Sequence, residues 1–323
     1  MSNASVHEFT ADLTVLHRST PAEDVVVLDL GYPDGKELPR WQPGAHIDLV
    51  LDDGLIRQYS LCGDPLDSAV WRIGVLLEPN SRGGSRYVHD KLHEGAVVRV
   101  RGPRNHFPLA DATRYRFIAG GIGITPIVAM LETAHRVGNE WTLLYGGRTR
   151  KSMAFAADLA ERYPDRVTVW PQDERGLLDL DSLLEEPEDG TLVYCCGPEA
   201  LLGAVEQRCA PWPAGSLHVE RFAAKAATDL SAAALDQFQV VCRRSGVTLE
   251  VTPDKSILEL VEEAGVPITT SCYEGVCGTC EAGVLEGIPD HRDSVLNAEQ
   301  KESGKVMLLC VSRSCTERLV LDL

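Results

Sequence analysis

Four cysteines constrain this chain more tightly than anything else in it. Cys272-Tyr-Glu-Gly-Val-Cys277-Gly-Thr-Cys280 is followed, after twenty-nine intervening residues, by Cys310. The pattern is C-x4-C-x2-C…C, the spacing with which four thiolates hold a [2Fe–2S] cluster. Two irons and two sulfides make a compact, negative group. Gly275 and Gly278 let the backbone wrap closely around it and turn amide N–H groups toward sulfur. Tetrahedral zinc is the competing reading, but it usually takes two C-x2-C pairs, and only one is present. Cys315 competes with Cys310 for the fourth position. A β-run over 306–309 that delivers Cys310 at its end favours Cys310.

Asp plus Glu number 48 and Lys plus Arg 31, giving a formal net charge of −17. Nucleic-acid binders carry a basic face, so no nucleic-acid partner is expected. No run reaches the roughly 18 apolar residues of a membrane span. The first ten residues lack the basic start and apolar stretch of a secretory signal. A cytoplasmic chain without membrane contact is therefore expected, its ten cysteines serving metal or redox chemistry rather than disulfides. Cys62, Cys195, Cys209 and Cys242 are scattered and read as buried free thiols.

A length of 323 residues predicts two or three domains. Over 1–110, short β-runs at 46–50, 71–77 and 96–100 alternate with turns and no long helical period appears, which predicts an antiparallel β-barrel. Over 111–224, strands at 117–119, 142–145, 167–170 and 191–195 alternate with helices at 126–136, 152–162 and 199–208. That alternation predicts an α/β domain with a parallel sheet. Residues 225–236, rich in Ala, Thr and Ser, read as a linker. Over 237–323, a hairpin (238–242 and 247–251), a short helix (256–264) and strands at 306–309 and 319–323 surround the cysteine loop.

Ala119-Gly-Gly-Ile-Gly-Ile-Thr-Pro126 lies between a predicted strand and a helix. There Gly120, Gly121, Gly123, Thr125 and Pro126 can let a pyrophosphate approach a helix N-terminus. The spacing differs from G-x-G-x-x-G, and alone it fits an ordinary strand–helix turn equally well. Tyr194-Cys-Cys-Gly-Pro198 repeats the arrangement at a second strand end, adding Cys196, Gly197 and Pro198. Two such turns make the crevice in which open α/β sheets bind nucleotides. Cys196 then lies beside a nicotinamide or is simply a buried thiol.

A nicotinamide delivers two electrons as hydride, and a [2Fe–2S] centre accepts one. A flavin reconciles the two. Its candidate strand is Arg57-Gln-Tyr-Ser60: Arg57 for a phosphate, Tyr59 against the ring, Ser60 near the reactive nitrogen. Arg82-Gly-Gly-Ser85 offers a phosphate nest from Gly83, Gly84 and Ser85. Read alone, Arg57 to Ser60 fits an ordinary exposed strand as well.

In this order, the motifs Arg57-x-Tyr59-Ser60, Gly83-Gly84-Ser85, Gly120 to Pro126, Cys196-Gly197-Pro198 and the four cysteines resemble the phthalate dioxygenase reductase family, which includes the vanillate O-demethylase reductases. The resemblance covers about residues 7 to 323. It implies a flavin barrel (1–110), a nucleotide-binding domain of ferredoxin-reductase type (111–224) and a β-grasp, plant-type ferredoxin (237–323). It implies FMN rather than FAD, in keeping with the short stretch from Gly83 to His89, and a flavin contact at Phe222. Arg148 and Arg150 suit a 2′-phosphate or the shared pyrophosphate, so these residues leave NADPH open; the resemblance points to NADH. Asp173-Glu174 reads as a solvated turn.

The activity implied is electron flow from NADH through FMN and [2Fe–2S] to a partner oxygenase. The partner is most often the Rieske oxygenase of a two-component system acting on aromatic compounds, with a cytochrome P450 as the alternative. No catalytic acid–base pair is required, and a monomer is expected. A redox sensor would need no hydride route, and a self-sufficient oxygenase would need a haem domain for which no residues remain. Residues 238–323 hold 8 Lys and Arg against 14 Asp and Glu, a net charge of −6, which predicts docking on a basic surface.

Overall fold

The computed structural model describes residues 8–79, 83–224 and 235–323. Contacts divide the chain into two compact bodies, Met1–Glu220 and Arg221–Leu323. Residues 225–234 of the expected linker, and Arg82 of the expected nest, lie outside the described residues. Among the described residues no helix is long and apolar enough to cross a membrane.

The first body opens with six antiparallel strands, β1 (Thr10–Ala22), β2 (Val25–Gly31), β3 (Ala45–Val50), β4 (Ile56–Ser60), β5 (Val70–Leu76) and β6 (Val97–Asn105). Their order is β4-β3-β6-β1-β2-β5. A bridge from Leu61, just past β4, to Ile73 of β5 joins the two edges and closes the barrel. Alternate residues point inward, among them Leu13, Val15, Leu28, Leu30, Ile47, Leu49, Trp71, Ile73 and Val100. β1 and β2 were not read as strands, although Val25-Val-Val-Leu28 is an apolar run; they meet at a tight turn with Asp24 at φ +58°. A short helix, α1 (Gly84–Lys91), also interrupts the expected all-β segment. Two turns of helix are too short to show a period, and its opening glycines read as a loop.

The other half of this body is a five-stranded parallel sheet. Its strands are β7 (Arg114–Gly120), β8 (Glu140–Gly147), β9 (Val167–Pro171), β10 (Thr191–Cys196) and β11 (Leu217–Glu220), in the order β11-β10-β7-β8-β9. Helices α2 (Ile124–Val137), α3 (Ala156–Arg162), α4 (Gln172–Arg175), α5 (Asp181–Leu184) and α6 (Glu199–Arg208) complete it. Both faces are covered. Phe117, Leu143 and Tyr145 pack under α2 with Ile127 and Leu131, while Ile118, Leu144 and Val193 pack under α6 with Leu202 and Val205. Two buried faces explain the continuous apolar runs in these strands. The chain leaves β7 toward β8 on one side and β10 toward β11 on the other, so the sheet reverses direction between β7 and β10.

The second body holds β12 (Phe238–Cys242), β13 (Val247–Val251), α7 (Ile257–Glu263), β14 (Glu281–Glu286), β15 (Pro289–Asp290), α8 (Ala298–Ser303), β16 (Val306–Leu308), β17 (Arg313–Ser314) and β18 (Arg318–Leu321). The main sheet runs β13-β12-β18-β14-β16, with β12 and β18 parallel at its centre. A capping box between Ser256 and Glu259 starts α7, whose Ile257, Leu258 and Val261 close the core. This is the expected β-grasp arrangement.

One buried charge ties the barrel together. Asp48 of β3 is fully buried and accepts hydrogen bonds from Gln58 (3.0 Å), Arg101 (2.9 Å) and Arg104. Gln58 lies between Arg57 and Tyr59, so this carboxylate pins the strand that carries both. Asp48→Ala takes the buried carboxylate away from Arg101 and from Arg104, which keeps Glu8, and should cost about 3 kcal/mol, read as a lower urea midpoint. A loss below about 1 kcal/mol would show that the pair behaves as a surface interaction.

Candidate functional site

The two glycine turns read from separate stretches of sequence meet at the reversal point of the parallel sheet. A Cβ on Gly123 would stand 2.3 Å from the Cys196 carbonyl oxygen. One on Gly120 would stand 2.8 Å from both Pro198 Cδ and Leu201 Cδ2, and one on Gly197 3.0 Å from Gly120 Cα. Only glycine fits these positions, and the close fit fuses the ends of β7 and β10. Gly121 adopts φ +55°, the left-handed region that favours glycine. Helix α2 starts at once, with no side chain capping its first amides, which leaves them for an anion. Tyr145 is fully buried and its hydroxyl donates toward the carbonyls of Gly121 (3.1 Å) and Ala154 (3.0 Å), holding the turn from beneath. Pro126 is buried in the first turn of α2.

The barrel's closing seam lies against this turn. The Leu61–Ile73 bridge brings Ser60 alongside Gly74, and a Cβ on Gly74 would stand 2.9 Å from Thr125 Cγ2. Thr125 is buried, its hydroxyl donating to the Ile122 carbonyl at 3.0 Å. The buried Ser60 hydroxyl hydrogen-bonds Glu220, the last residue of β11. Cys196 Sγ stands 4.0 Å from the same carboxyl. Burial pushes the Glu220 carboxyl up to about 8, so it is protonated at neutral pH. Burial, reinforced by Glu220, pushes the Cys196 thiol far up, so it stays neutral. Glu220 was missed in the sequence because its strand is four residues long and no periodicity marks it.

Arg57 and Tyr59 sit on β4. Arg57 lies against α1: a Cβ on Gly84 would stand 2.5 Å from Arg57 Cγ, so Gly84 is what lets the arginine cross the helix start. Gly83 takes φ +93° just before the helix, and Ser85 accepts the Glu78 amide at 3.1 Å. Tyr59 packs on the barrel core, and burial pushes its phenol up. An arginine beside an uncapped helix start fits a phosphate. Arg148 is exposed, whereas Arg150 is held bidentately by Glu174 at 3.2 and 2.8 Å. Asp173 and Glu174 are exposed, as expected of a solvated segment, and the Asp173 amide donates to the Arg148 carbonyl, which joins the loops after β8 and β9. Phe222 is the second residue of the other body and is exposed.

In the second body, Cys272, Cys277, Cys280 and Cys310 form a chain of thiol contacts. Cys272 touches Cys277 and Cys310, and Cys280 touches Cys310. The four thiols are brought together at one place, the donor set that an iron–sulfur cluster takes. Tyr273, Gly275 and Gly278 all adopt left-handed φ between the ligating positions (+59°, +70° and +70°). The Glu274 amide points to Cys272 Sγ at 3.3 Å. Cys310 lies two residues past the end of β16. Cys62, Cys195, Cys196, Cys209 and Cys242 are buried and form no disulfide among the described residues.

A pyridine-nucleotide-dependent iron–sulfur oxidoreductase is the class that these two bodies define. Residues 240–315 match the 2Fe-2S iron-sulfur cluster binding domain, and residues 117–207 the oxidoreductase NAD-binding domain. Phenoxybenzoate dioxygenase subunit beta of Ectopseudomonas oleovorans is 41% identical over 304 residues, covering 94% of each chain. The crystal structure of phthalate dioxygenase reductase, described as a modular structure for electron transfer from pyridine nucleotides to [2Fe–2S], superposes with a TM-score of 0.71 at 34% identity. That match covers 97% of this chain and 98% of that one. An intact type IV self-sufficient cytochrome P450 monooxygenase superposes with a TM-score of 0.90 at 44% identity. There the match covers 97% of this chain but 41% of the P450 chain. The chain belongs to the phthalate dioxygenase reductase family, several of whose members are reductase components of oxygenase systems.

Glu220 gives a pH-dependent signature. Its folded value, about 8, lies above its ordinary 4.5. Its contribution to stability is therefore complete below about 4.5, is lost as pH rises toward 8, and changes no further above that. Thermal melts of Glu220→Gln against the parent should diverge in favour of the variant across this interval. Parallel curves would mean that the carboxyl titrates normally.

Proposed function

We propose that the chain is an NADH-dependent FMN and [2Fe–2S] reductase serving the Rieske oxygenase of a two-component system that acts on aromatic compounds. The observation that carries this reading is the meeting of Ser60, Thr125, Cys196 and Glu220 where the barrel seam abuts the nucleotide turns. When bound, a nicotinamide supplies a hydride, a flavin turns the electron pair into single electrons, and the cluster carries them one at a time.

The residues divide the work as follows. Gly120, Gly121, Gly123, Thr125 and Pro126 seat the pyrophosphate at the start of α2, and Gly197 and Pro198 close the other side of the crevice. Cys196 presents a neutral thiol to the nicotinamide. Protonated Glu220 fixes the Ser60 hydroxyl without placing a charge beside the rings. Tyr59 lies along the flavin. Arg57, with Gly83, Gly84 and Ser85 at the start of α1, takes a single phosphate, which supports FMN. Arg150 is already neutralised by Glu174, which supports NADH over NADPH. Cys272, Cys277, Cys280 and Cys310 would hold the cluster, which would supply single-electron transfer there. Each of these sites is built within one chain, in keeping with a monomer. Cysteines without disulfides among the described residues, together with use of NADH, support a cytoplasmic location.

A haem acceptor is the second reading, favoured by the close match to a P450 monooxygenase. Anaerobic purification followed by acid release of the flavin and EPR after reduction tests the cofactors; loss of either chromophore sinks the proposal. NADH should reduce both ferricyanide and cytochrome c. Cys272→Ser should keep the ferricyanide activity and lose most of the cytochrome c activity. Equal loss of both would place the cysteine loop outside the route. With the physiological oxygenase, turnover should fall as salt rises, because a module of net charge −6 is drawn to a basic surface. Salt-independent turnover would rule out electrostatic docking.

A further inference from the structure

His291 and Asp293 lie on the segment between β15 and α8, packed on the cysteine loop. The Ser294 amide donates to the Gly275 carbonyl at 2.9 Å, and a Cβ on Gly275 would stand 3.2 Å from Asp293 Cα. The Asp293 side chain is fully buried. Its Oδ1 accepts the amides of Val295 (3.0 Å) and Leu296 (2.7 Å), and Lys301 Nζ donates to its backbone carbonyl at 2.7 Å. Its Oδ2 accepts no hydrogen bond among the described residues. The His291 side chain is nine-tenths buried, and its ring is held only by a backbone contact with Lys301 that falls outside strict hydrogen-bond geometry among the described residues. Nδ1 stands 3.9 Å from that same Oδ2, and so does Lys301 Nζ.

Buried polar atoms left unpaired are costly and call for a use. Here a buried imidazole with room for a second proton faces a buried carboxylate oxygen that lacks a donor. Asp293 stands next to the cysteine loop, and His291 stands beside Asp293.

We propose that His291 is a proton-binding site tied to one-electron reduction at the four-cysteine loop, with Asp293 as the counter-charge. The inference rests on the reading of that loop as a [2Fe–2S] centre. One electron, originating from NADH, enters the centre. One proton passes from hydronium in the solvent to a ring nitrogen of His291: an O–H bond breaks, an N–H bond forms, and water is left behind. When the electron leaves for the acceptor, the proton returns to water. The loop then carries an electron without holding an uncompensated charge among buried groups.

The surrounding charges permit this. Asp293 and Asp290 favour the imidazolium, Lys301 of α8 opposes it, Arg292 is paired with Asp290, and Glu281 of β14 faces Asp293. Burial is the largest influence and holds the imidazole below its ordinary value, so it is neutral until an added negative charge favours the proton. Reduction raises the proton affinity. The midpoint potential must therefore fall with rising pH between the two proton-binding ranges and be level on either side.

The test is EPR-monitored potentiometry of the full chain loaded with flavin and cluster, from about pH 5.5 to about 9. We expect proton binding about tenfold tighter in the reduced form, which appears as a fall of about 59 mV between the acid and alkaline plateaus. His291→Gln should give one pH-independent midpoint. Asp293→Asn should keep the fall but move it to lower pH, which preserves a readout if the histidine variant does not assemble. A level midpoint in the parent protein overturns the proposal without any variant, and so does a fall that survives His291→Gln. Absence of a [2Fe–2S] signal would instead overturn the reading of the cysteine loop.

Discussion

The contact between Gly123 and the Cys196 carbonyl is the joint on which the first body depends. No side chain fits there, so the ends of β7 and β10 close on each other, and the reversal point of the sheet becomes a single wall. From that joint follow the uncapped start of α2, the neutral thiol of Cys196 and the placement of Thr125. Thr125 in turn reaches the barrel only because Gly74 has no side chain. A chain of missing Cβ atoms thus brings the nucleotide turns to Ser60. The glycines of the cysteine loop act differently: Gly275 and Gly278 are needed first for their left-handed φ, which turns the backbone around the thiols.

Much of this was legible in the sequence. The cysteine spacing, both nucleotide turns and the Arg57–Ser60 strand were found where the structure places them, because each is a local pattern imposed by local chemistry. The long apolar strands of the parallel sheet and the Ser256 helix start were legible for the same reason. What escaped depends on long-range neighbours. β11 is four residues, and its value lies in bringing Glu220 to Ser60, some 160 positions earlier in the chain. α1 shows too few turns for a period. Asp173 and Glu174 are exposed as read, but nothing local marks Arg150 across from Glu174.

Three buried acids show how differently one side chain can be accommodated. Asp48 is surrounded by Arg101, Arg104 and Gln58, all of which donate to it. Glu220 has only a serine hydroxyl for a partner, so burial keeps its proton on. Asp293 is intermediate, with one oxygen satisfied by two amides and the other facing a histidine and a lysine at 3.9 Å. The first serves the barrel, and the second adds no charge beside Ser60 and Cys196. The third is the one whose pairing can still change, and it is the one beside the cysteine loop.

The division into two bodies follows from the chemistry each performs. Hydride transfer makes and breaks bonds, so its atoms must approach to about 3–3.5 Å in a fixed orientation. Accordingly Ser60, Thr125, Cys196 and Glu220 belong to one compact body, tied by glycine contacts and hydrogen bonds. Single-electron transfer forms no bond and tolerates a less exact geometry. The cysteine loop can therefore sit on a separately cored body, with Ile257, Val261, Met307 and Leu319 packed beneath it. The same pair of bodies matches 41% of a self-sufficient P450 monooxygenase chain. A unit that finishes all bond-making internally and exports electrons singly needs no shared active site with its acceptor, which is why one design can serve acceptors of different chemistry.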